Sequence, residues 1–286
     1  PDLPFSTKEL DIEMFDRILN DPDLLFDEGK IYPMVATDFT IVKKWADEGK
    51  YVSNADKDPN YLRYVIGHYM KNVKPWVRIP RIIRDIPNMN IIGGNSSTNL
   101  RQLILQRDDV NCKCIRCREV KTKKENIQDA QLFIRQYNGV NSTEYFISFE
   151  SSDQQILYGF VRLRINHSND QLIYNELIGC SLIRELHVYG SVVRHDKKKE
   201  NNIQHLGFGK KLIQAAERLS FENGIHKIAI ISGVGVREYY EGLGYHLVHN
   251  YMIKKIYRLP KINVFEWILI VSIVFIIISI LYDSII

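Results

Sequence analysis

Apolar and polar positions change period several times along the chain. Tyr145 to Phe149 and Leu157 to Leu163 alternate, which predicts two antiparallel strands, and Leu182 to Tyr189 continues that sheet. Leu212, Ile213, Ala216 and Leu219 recur at helical spacing and line one face of a helix that begins close to Gly209. Lys227-Ile228-Ala229-Ile230-Ile231 is a compact apolar run of the kind a buried strand shows. Upstream, helical stretches are predicted around Lys8 to Leu19, Phe39 to Glu48 and Asn60 to Asn72. Lys30-Ile31-Tyr32-Pro33 suits a short strand, and Val77 to Arg84 another, confined by Pro80 to an edge or a strand end.

A different pattern closes the chain. Trp267 to Tyr282 is almost entirely apolar and has no internal charge, and with Val264 and Phe265 it approaches the ~20 residues a bilayer requires. Lys254, Lys255, Arg258 and Lys261 precede it, the cytoplasmic-side bias of a membrane segment. Residues 264–283 therefore predict a C-terminal transmembrane tail anchor, with the rest of the chain on the cytosolic face of a membrane. The competing reading, a buried core helix, would need partners on every face after the preceding unit is already complete.

Between the strand Leu182–Tyr189 and the amphipathic helix lies Gln204-His205-Leu206-Gly207-Phe208-Gly209-Lys210. Glycines let a main chain approach a ligand closely, and the first turn of a helix presents unpaired N–H groups and the positive end of its dipole. A strand, a glycine loop and a helix start thus form a diphosphate cradle, with Lys210 as an added cation. Alone, Gly-x-Gly is a weak signal. Here Ser232-Gly233-Val234-Gly235 and then Tyr239-Tyr240-Glu241-Gly242-Leu243-Gly244-Tyr245 follow the next strand.

Gln-x-x-Gly-x-Gly and Tyr-x-x-x-Gly-Tyr together resemble the GNAT acetyltransferases. The segments Glu185 to Val193, Gln204 to Gly209 and Ile231 to Tyr240 are similar to one family in particular, the catalytic subunit of Elongator. That family joins a radical S-adenosylmethionine (SAM) domain to a GNAT domain and modifies the wobble uridine of transfer RNA. The likeness covers roughly residues 8 to 256: Lys30 to Pro33, Trp45 to Tyr51 and Arg84 to Pro87 resemble the end of the radical domain, and Asn99 to Gln102 and Cys117 to Val120 its linker.

The resemblance implies an α/β fold in three parts, and the apolar tail, independent of it, makes a fourth. Residues 1–90 would be the end of the radical SAM barrel, 91–138 a cysteine-rich linker, 139–258 the GNAT domain and 264–283 the tail. It implies acetyl-coenzyme A held by main-chain groups around Glu185, Leu186, His187 and Val188, by Gly207, Phe208, Gly209 and Lys210, and by Tyr240. Tyr240 matches the usual acid, and Tyr239 would help position the ligand. Since adjacent residues do not share a helix face, at least one of the two tyrosines should point towards the ligand. Glu185 is a candidate base through water, or else structural. The family's iron–sulfur cysteines would lie before Pro1, so S-adenosylmethionine and the cluster are implied only where that half is present.

The four cysteines add a second candidate site. Cys112, Cys114 and Cys117 bring three thiols into one short loop, and a distant Cys180 would complete the tetrahedral set zinc prefers. Reduced buried thiols or disulfides are the alternative, and such close cysteines are poorly placed to bridge one another. Charge is less informative. At 286 residues the chain accommodates two modest domains, and 38 basic against 34 acidic residues, a net +4, do not announce a nucleic-acid binder. Arg78, Arg81, Arg84 and Arg101 read first as surface or ion-paired residues and second as phosphate contacts. Lys197-Lys198-Lys199 reads as a solvated loop, and transfer RNA and Elongator-like subunits as partners rest on the resemblance.

Three functions follow in order. The first is a transfer RNA wobble-uridine acyltransferase that forms carboxymethyluridine from acetyl-coenzyme A. The second is a membrane-tethered protein or small-molecule N-acetyltransferase. The third is a non-catalytic scaffold binding acetyl-coenzyme A or transfer RNA.

Overall fold

Two apolar cores organise the chain. The computed structural model describes residues 1–120, 127–169, 172, 174–189 and 207–257. The first core is helical. Helix α1 (Lys8–Asn20) starts where the Thr7 hydroxyl accepts the Leu10 N–H at 3.2 Å, an N-cap that satisfies one of the orphan donors of the first turn. Strand β1 (Val35–Thr37) and helices α2 (Ile41–Asp47), α3 (Asn54–Lys57) and α4 (Tyr61–Asn72) follow. Phe15 and Leu19 of α1 meet Val65, Ile66, Tyr69 and Met70 of α4, so the two amphipathic faces close on each other. Strand β2 (Ile91–Gly94) pairs antiparallel with β1, and the short helices α5 (Leu100–Leu105) and α6 (Ile115–Arg118) complete this half.

The strands expected at Lys30–Pro33 and Val77–Arg84 do not form. Those segments meet through a parallel bridge between Glu28 and Arg78 and a hydrogen bond from the Ile31 N–H to the Arg81 carbonyl at 2.9 Å, and Pro33 and Pro80 have no N–H to extend the pairing.

The second core surrounds a seven-stranded sheet. Its strands are β3 (Gln131–Gly139), β4 (Ser142–Glu150), β5 (Leu157–Asn166), β6 (Ser181–Val188), β7 (Lys227–Ile231), β8 (His246–Val248) and β9 (Tyr251–Lys255), in the order β3-β4-β5-β6-β7-β9-β8. Helix α7 (Phe208–Glu222) makes the crossover between β6 and β7, the one parallel pair, and α8 (Arg237–Glu241) follows β7. Within the segment expected as connector, 91–138, the chain contributes β2 to the small sheet and most of β3 to the large one. Strand β3 pairs with β4 along its whole length but alternates half-buried and exposed residues as an edge strand does, which disguises it as polar linker.

Two features of the sheet shape its centre. Strand β6 is bulged: Arg162 of β5 lies opposite Glu185 and Leu163 opposite Ile183, leaving Arg184 as the extra residue. Beyond that bulge β6 and β7 part, since they pair only over Ser181–Ile183 and Ile228–Ile230. Helix α7 covers one face, with Leu212, Ile213 and Ala216 buried and Phe208 stacked on Phe149 at 4.4 Å.

The opposite face is polar and receives the first half of the chain. Asp27 pairs with Arg162 at 3.1 Å and with the bulged Arg184, which also binds Glu144 at 2.9 Å. Trp76 stacks on Tyr137 of β3 with centroids 4.5 Å apart. The buried Arg118 guanidinium donates to the carbonyls of Pro75, Lys113 and Gln154 and pairs with Glu150 at 2.9 Å. Burial pushes the Glu150 carboxyl up, but the Arg135 hydrogen bond and the Arg118 charge outweigh it and hold the group below the usual carboxylate range.

The tail-anchor expectation at 264–283 falls outside the described residues, as do Gln204 to Leu206 and the lysine run. Among the described residues no helix is long and apolar enough to cross a membrane.

Glu150 is fully buried between Arg118 and Arg135, so removing it strands two guanidinium groups. Glu150→Ala is expected to lower unfolding free energy by roughly 3–5 kcal/mol, read from urea denaturation.

Candidate acyl-coenzyme A site and cysteine cluster

The parting of β6 from β7 creates the candidate site. On one side Glu185, Leu186, His187 and Val188 pair with β5, while on the other their main-chain groups have no strand against them among the described residues. An extended ligand with amide groups can hydrogen-bond there as a missing strand would.

The gap leads to the start of α7. Gly207 adopts a left-handed conformation with φ +68°, which a side chain would disfavour, and turns the chain into the helix. The first helical bond runs from Lys211 N–H to the Gly207 carbonyl at 3.0 Å, and the N–H groups of Phe208, Gly209 and Lys210 have no helical acceptor among the described residues. No acidic residue occupies this first turn, and Lys210 is exposed beside it. The buried Phe208 ring fixes the turn to the sheet, so the donors are held rigidly where an anion would sit.

The paired tyrosines divide their tasks. Tyr239 is 44% exposed and its hydroxyl lies over Gly209, only 2.8 Å from where a Cβ would stand. Tyr240 is 6% exposed and packs edge-on against Tyr239 and Tyr245. The structure thus brings the Tyr239 hydroxyl to the first turn of α7 and buries Tyr240 beside it. Burial, with the neighbouring Tyr239 as a lesser cause, pushes the Tyr240 phenol up to about 12 and keeps it protonated. Glu185 is held by Arg162 at 2.9 Å.

The cysteines assemble only in part. The sulfur atoms of Cys112, Cys114 and Cys117 lie within 4.8 Å of one another, and Arg101 donates to Cys117 Sγ at 3.3 Å. Hydrogen bonds from the Cys112 and Cys117 thiols depress the Cys114 thiol, with Arg101 as a further cause, whereas Cys112 is pushed up. Cys180 does not join them, which corrects the four-cysteine expectation. It packs in a separate small core with Leu177, Ala229 and Ile253, at the start of β6, and its thiol donates to the Glu176 carbonyl at 3.4 Å. Spacing along the chain could not place so distant a residue.

Sequence reasoning passed over the residues that brace this site. Asp27, Arg162 and Arg184 carry no motif, and Arg78 reads only as one of several scattered arginines. Arg78 does ion-pair, with Glu119 at 3.0 Å, and Arg81 pairs with Asp85, while Arg84 lies over the Tyr32 ring.

Comparison with known proteins places this geometry. Residues 26–108 match the model of the Radical_SAM C-terminal domain. The chain is 38% identical over 265 residues to Elongator complex protein 3 of Homo sapiens, covering 89% of the chain and 47% of that protein. It is 39% identical over 264 residues to the Schizosaccharomyces pombe protein of the same name, covering 89% of the chain and 48% of that relative. A tRNA uridine(34) acetyltransferase of Dehalococcoides mccartyi is 36% identical over 265 residues, with 89% and 56% covered. The solved structure of archaeal Methanocaldococcus infernus Elp3, with its N-terminus deleted, superimposes with a TM-score of 0.77 at 33% identity, covering 90% of this chain and 62% of that one.

Fold and matches together describe an α/β protein in which residues 26–108, similar to the Radical_SAM C-terminal domain, are joined to a seven-stranded sheet. Over 89% of its length the chain is a homologue of Elongator complex protein 3, corresponding to the C-terminal part of that protein. It spans about half the length of the curated relatives it matches.

Gly209→Val would fill the space above the N–H groups of the first turn and push against the Tyr239 hydroxyl, at the partly exposed end of that side chain. The variant is expected to keep its melting temperature and to bind coenzyme A at least about tenfold more weakly, measured by isothermal titration.

Proposed function

We propose that the chain is the acetyl-coenzyme A-binding part of an Elongator-type transfer RNA wobble-uridine acyltransferase. One observation carries the reading: the edge of Glu185–Val188, unpaired among the described residues, runs towards the helix start at Phe208–Lys210, with Tyr239 and Tyr240 beside it. The names of the relatives supply the nucleic-acid substrate and the Elongator partners.

In this reading the first turn of α7 takes the diphosphate, and β6 takes the pantetheine amides in place of a strand. Tyr240, protonated by virtue of burial, gives its proton to the departing thiolate, and Tyr239 closes over the cradle. The acetyl group would be delivered at the bulge, on the polar face where the radical SAM region docks. The resemblance assigns the radical steps to S-adenosylmethionine and an iron–sulfur cluster, to which no described residue is assigned here.

Zinc is the metal proposed for the cysteines. Tetrahedral Zn–S bonds of about 2.3 Å set sulfur atoms roughly 3.8 Å apart, within the spread the three thiols show. Zinc there would tie the loop before α6 to Arg101 and so to the end of the radical SAM region. Elemental analysis should find about one zinc per chain, lost from Cys112→Ser, Cys114→Ser and Cys117→Ser and retained in Cys180→Ser. Retention in all four variants would refute the assignment.

The enzymatic reading is tested with the full chain by isothermal titration of acetyl-coenzyme A and an acyl-transfer assay on transfer RNA. Tyr240→Phe is expected to bind within about twofold of wild type and to lose roughly 10- to 100-fold in turnover. Tight binding with no turnover in any preparation would instead favour the scaffold.

A further inference from the structure

The polar face of the sheet carries a group that the binding of coenzyme A does not use. Along β6 the main chain of His187 borders the open gap, while its imidazole lies on the face away from α7, beside Phe160 of β5 and 4.3 Å from the Tyr189 ring. Tyr189 is buried, and its hydroxyl accepts a hydrogen bond from Arg78 Nη1 at 3.1 Å. Arg78 belongs to the other half of the molecule and is itself held firmly. Its N–H donates to the Asp27 carbonyl and its carbonyl accepts from Gly29, both at 2.9 Å, and its second nitrogen pairs with Glu119 at 3.0 Å.

Two groups on this stretch of β6 could accept a proton from a nucleophile approaching on the side opposite α7. Glu185 is engaged by Arg162 at 2.9 Å, an arginine almost without solvent contact, which weakens it as a base. His187 has no such partner among the described residues. Burial lowers its pKa first, Arg78 lowers it further, and Glu185 and Glu119 oppose both, with the net effect of favouring neutral imidazole.

Resting on the acyl-coenzyme A reading above, we propose that His187 is the proton acceptor for water attacking the thioester, and that Arg78 and Tyr189 are its positioning residues. The water oxygen forms a bond to the acyl carbon as His187 takes a water proton. The carbon–sulfur bond then breaks and the thiolate takes the Tyr240 proton, leaving a free acid and coenzyme A. Imidazolium and phenolate return to neutrality through solvent. An arginine of the radical SAM region would thus set the geometry of a base on the acyl-coenzyme A sheet, so that thioester cleavage depends on how the two halves dock.

The test uses the full chain with acetyl-coenzyme A and transfer RNA and follows thiol release against pH. It is paired with isothermal titration and with an NMR titration of the His187 ring that needs no turnover. Arg78→Met and Tyr189→Phe are each expected to bind acetyl-coenzyme A within about twofold of wild type and to release thiol roughly tenfold more slowly. Because they act along one line, the double variant should be no slower than the slower single one. Loss of the Arg78 cation should also move the His187 titration, and the acid limb of the rate profile, to higher pH. Tyr189→Phe leaves the Arg78–Glu119 pair intact, so it reports on the link even if Arg78→Met folds poorly. Wild-type rates in both variants, effects that multiply in the double, or an unmoved His187 titration in Arg78→Met would overturn the inference alone. Failure of the wild-type chain to bind acetyl-coenzyme A would overturn the reading beneath it as well.

Discussion

Asp27 binds two arginines on neighbouring strands, and the open sheet depends on that contact. Arg184 is the extra residue of the β6 bulge, so its side chain turns onto the same face as Glu185 instead of alternating away. A bulged arginine directed into a buried face needs acidic partners, and Asp27 and Glu144 supply them. Burial raises the Asp27 carboxyl, but the Arg184 hydrogen bond and the Arg162 charge bring it below its ordinary value, so the pairing stays ionised at neutral pH. With the bulge fixed, β6 can leave β7 after Ile183 without slipping in register, and the gap beyond becomes a surface of main-chain donors and acceptors.

The two sheet faces consequently do different work. The α7 face is apolar and rigid, with Phe208 wedged between Phe149 and Tyr158, and it holds a helix start steady for an anion. The other face is a mosaic of arginines and carboxylates, and it sets side chains against the radical SAM region. A ligand lying in the gap touches both. In the proposed reading its phosphates would meet fixed dipoles of the backbone, and its reactive end would meet ionisable side chains whose positions are set from outside the sheet.

Much of this was legible beforehand. The helix face of Leu212, Ile213 and Ala216, the strands Tyr145–Phe149 and Leu157–Leu163, and the glycine turn all announce themselves through periodicity or through a backbone conformation that only certain residues tolerate. Local chemistry of that kind lies within a few positions of itself. Strand β3 escaped because an edge strand with arginine and glutamine on it looks like linker, and the strands near Lys30 and Val77 failed because proline removes the donor that pairing needs. The cysteines show the same limit: three that are close in sequence meet in space, while Cys180 was recruited on chemistry alone and packs elsewhere. Asp27, Arg78 and Arg162 act across 111 to 157 positions in their contacts with Tyr189 and Arg184 or through a mid-strand register, and no spacing rule reaches so far.

Arg118 gives that long-range stitching a practical edge. One guanidinium binds carbonyls from three separate stretches and a carboxylate at the end of β4. Cutting the polypeptide between α6 and β3, to obtain the seven-stranded sheet by itself, would leave Glu150 facing Arg135 with its other partner gone and would expose the Trp76 side of Tyr137. The two halves are thus closer to a single cooperative unit than to beads on a string, and the sheet's autonomy ends where its polar face begins.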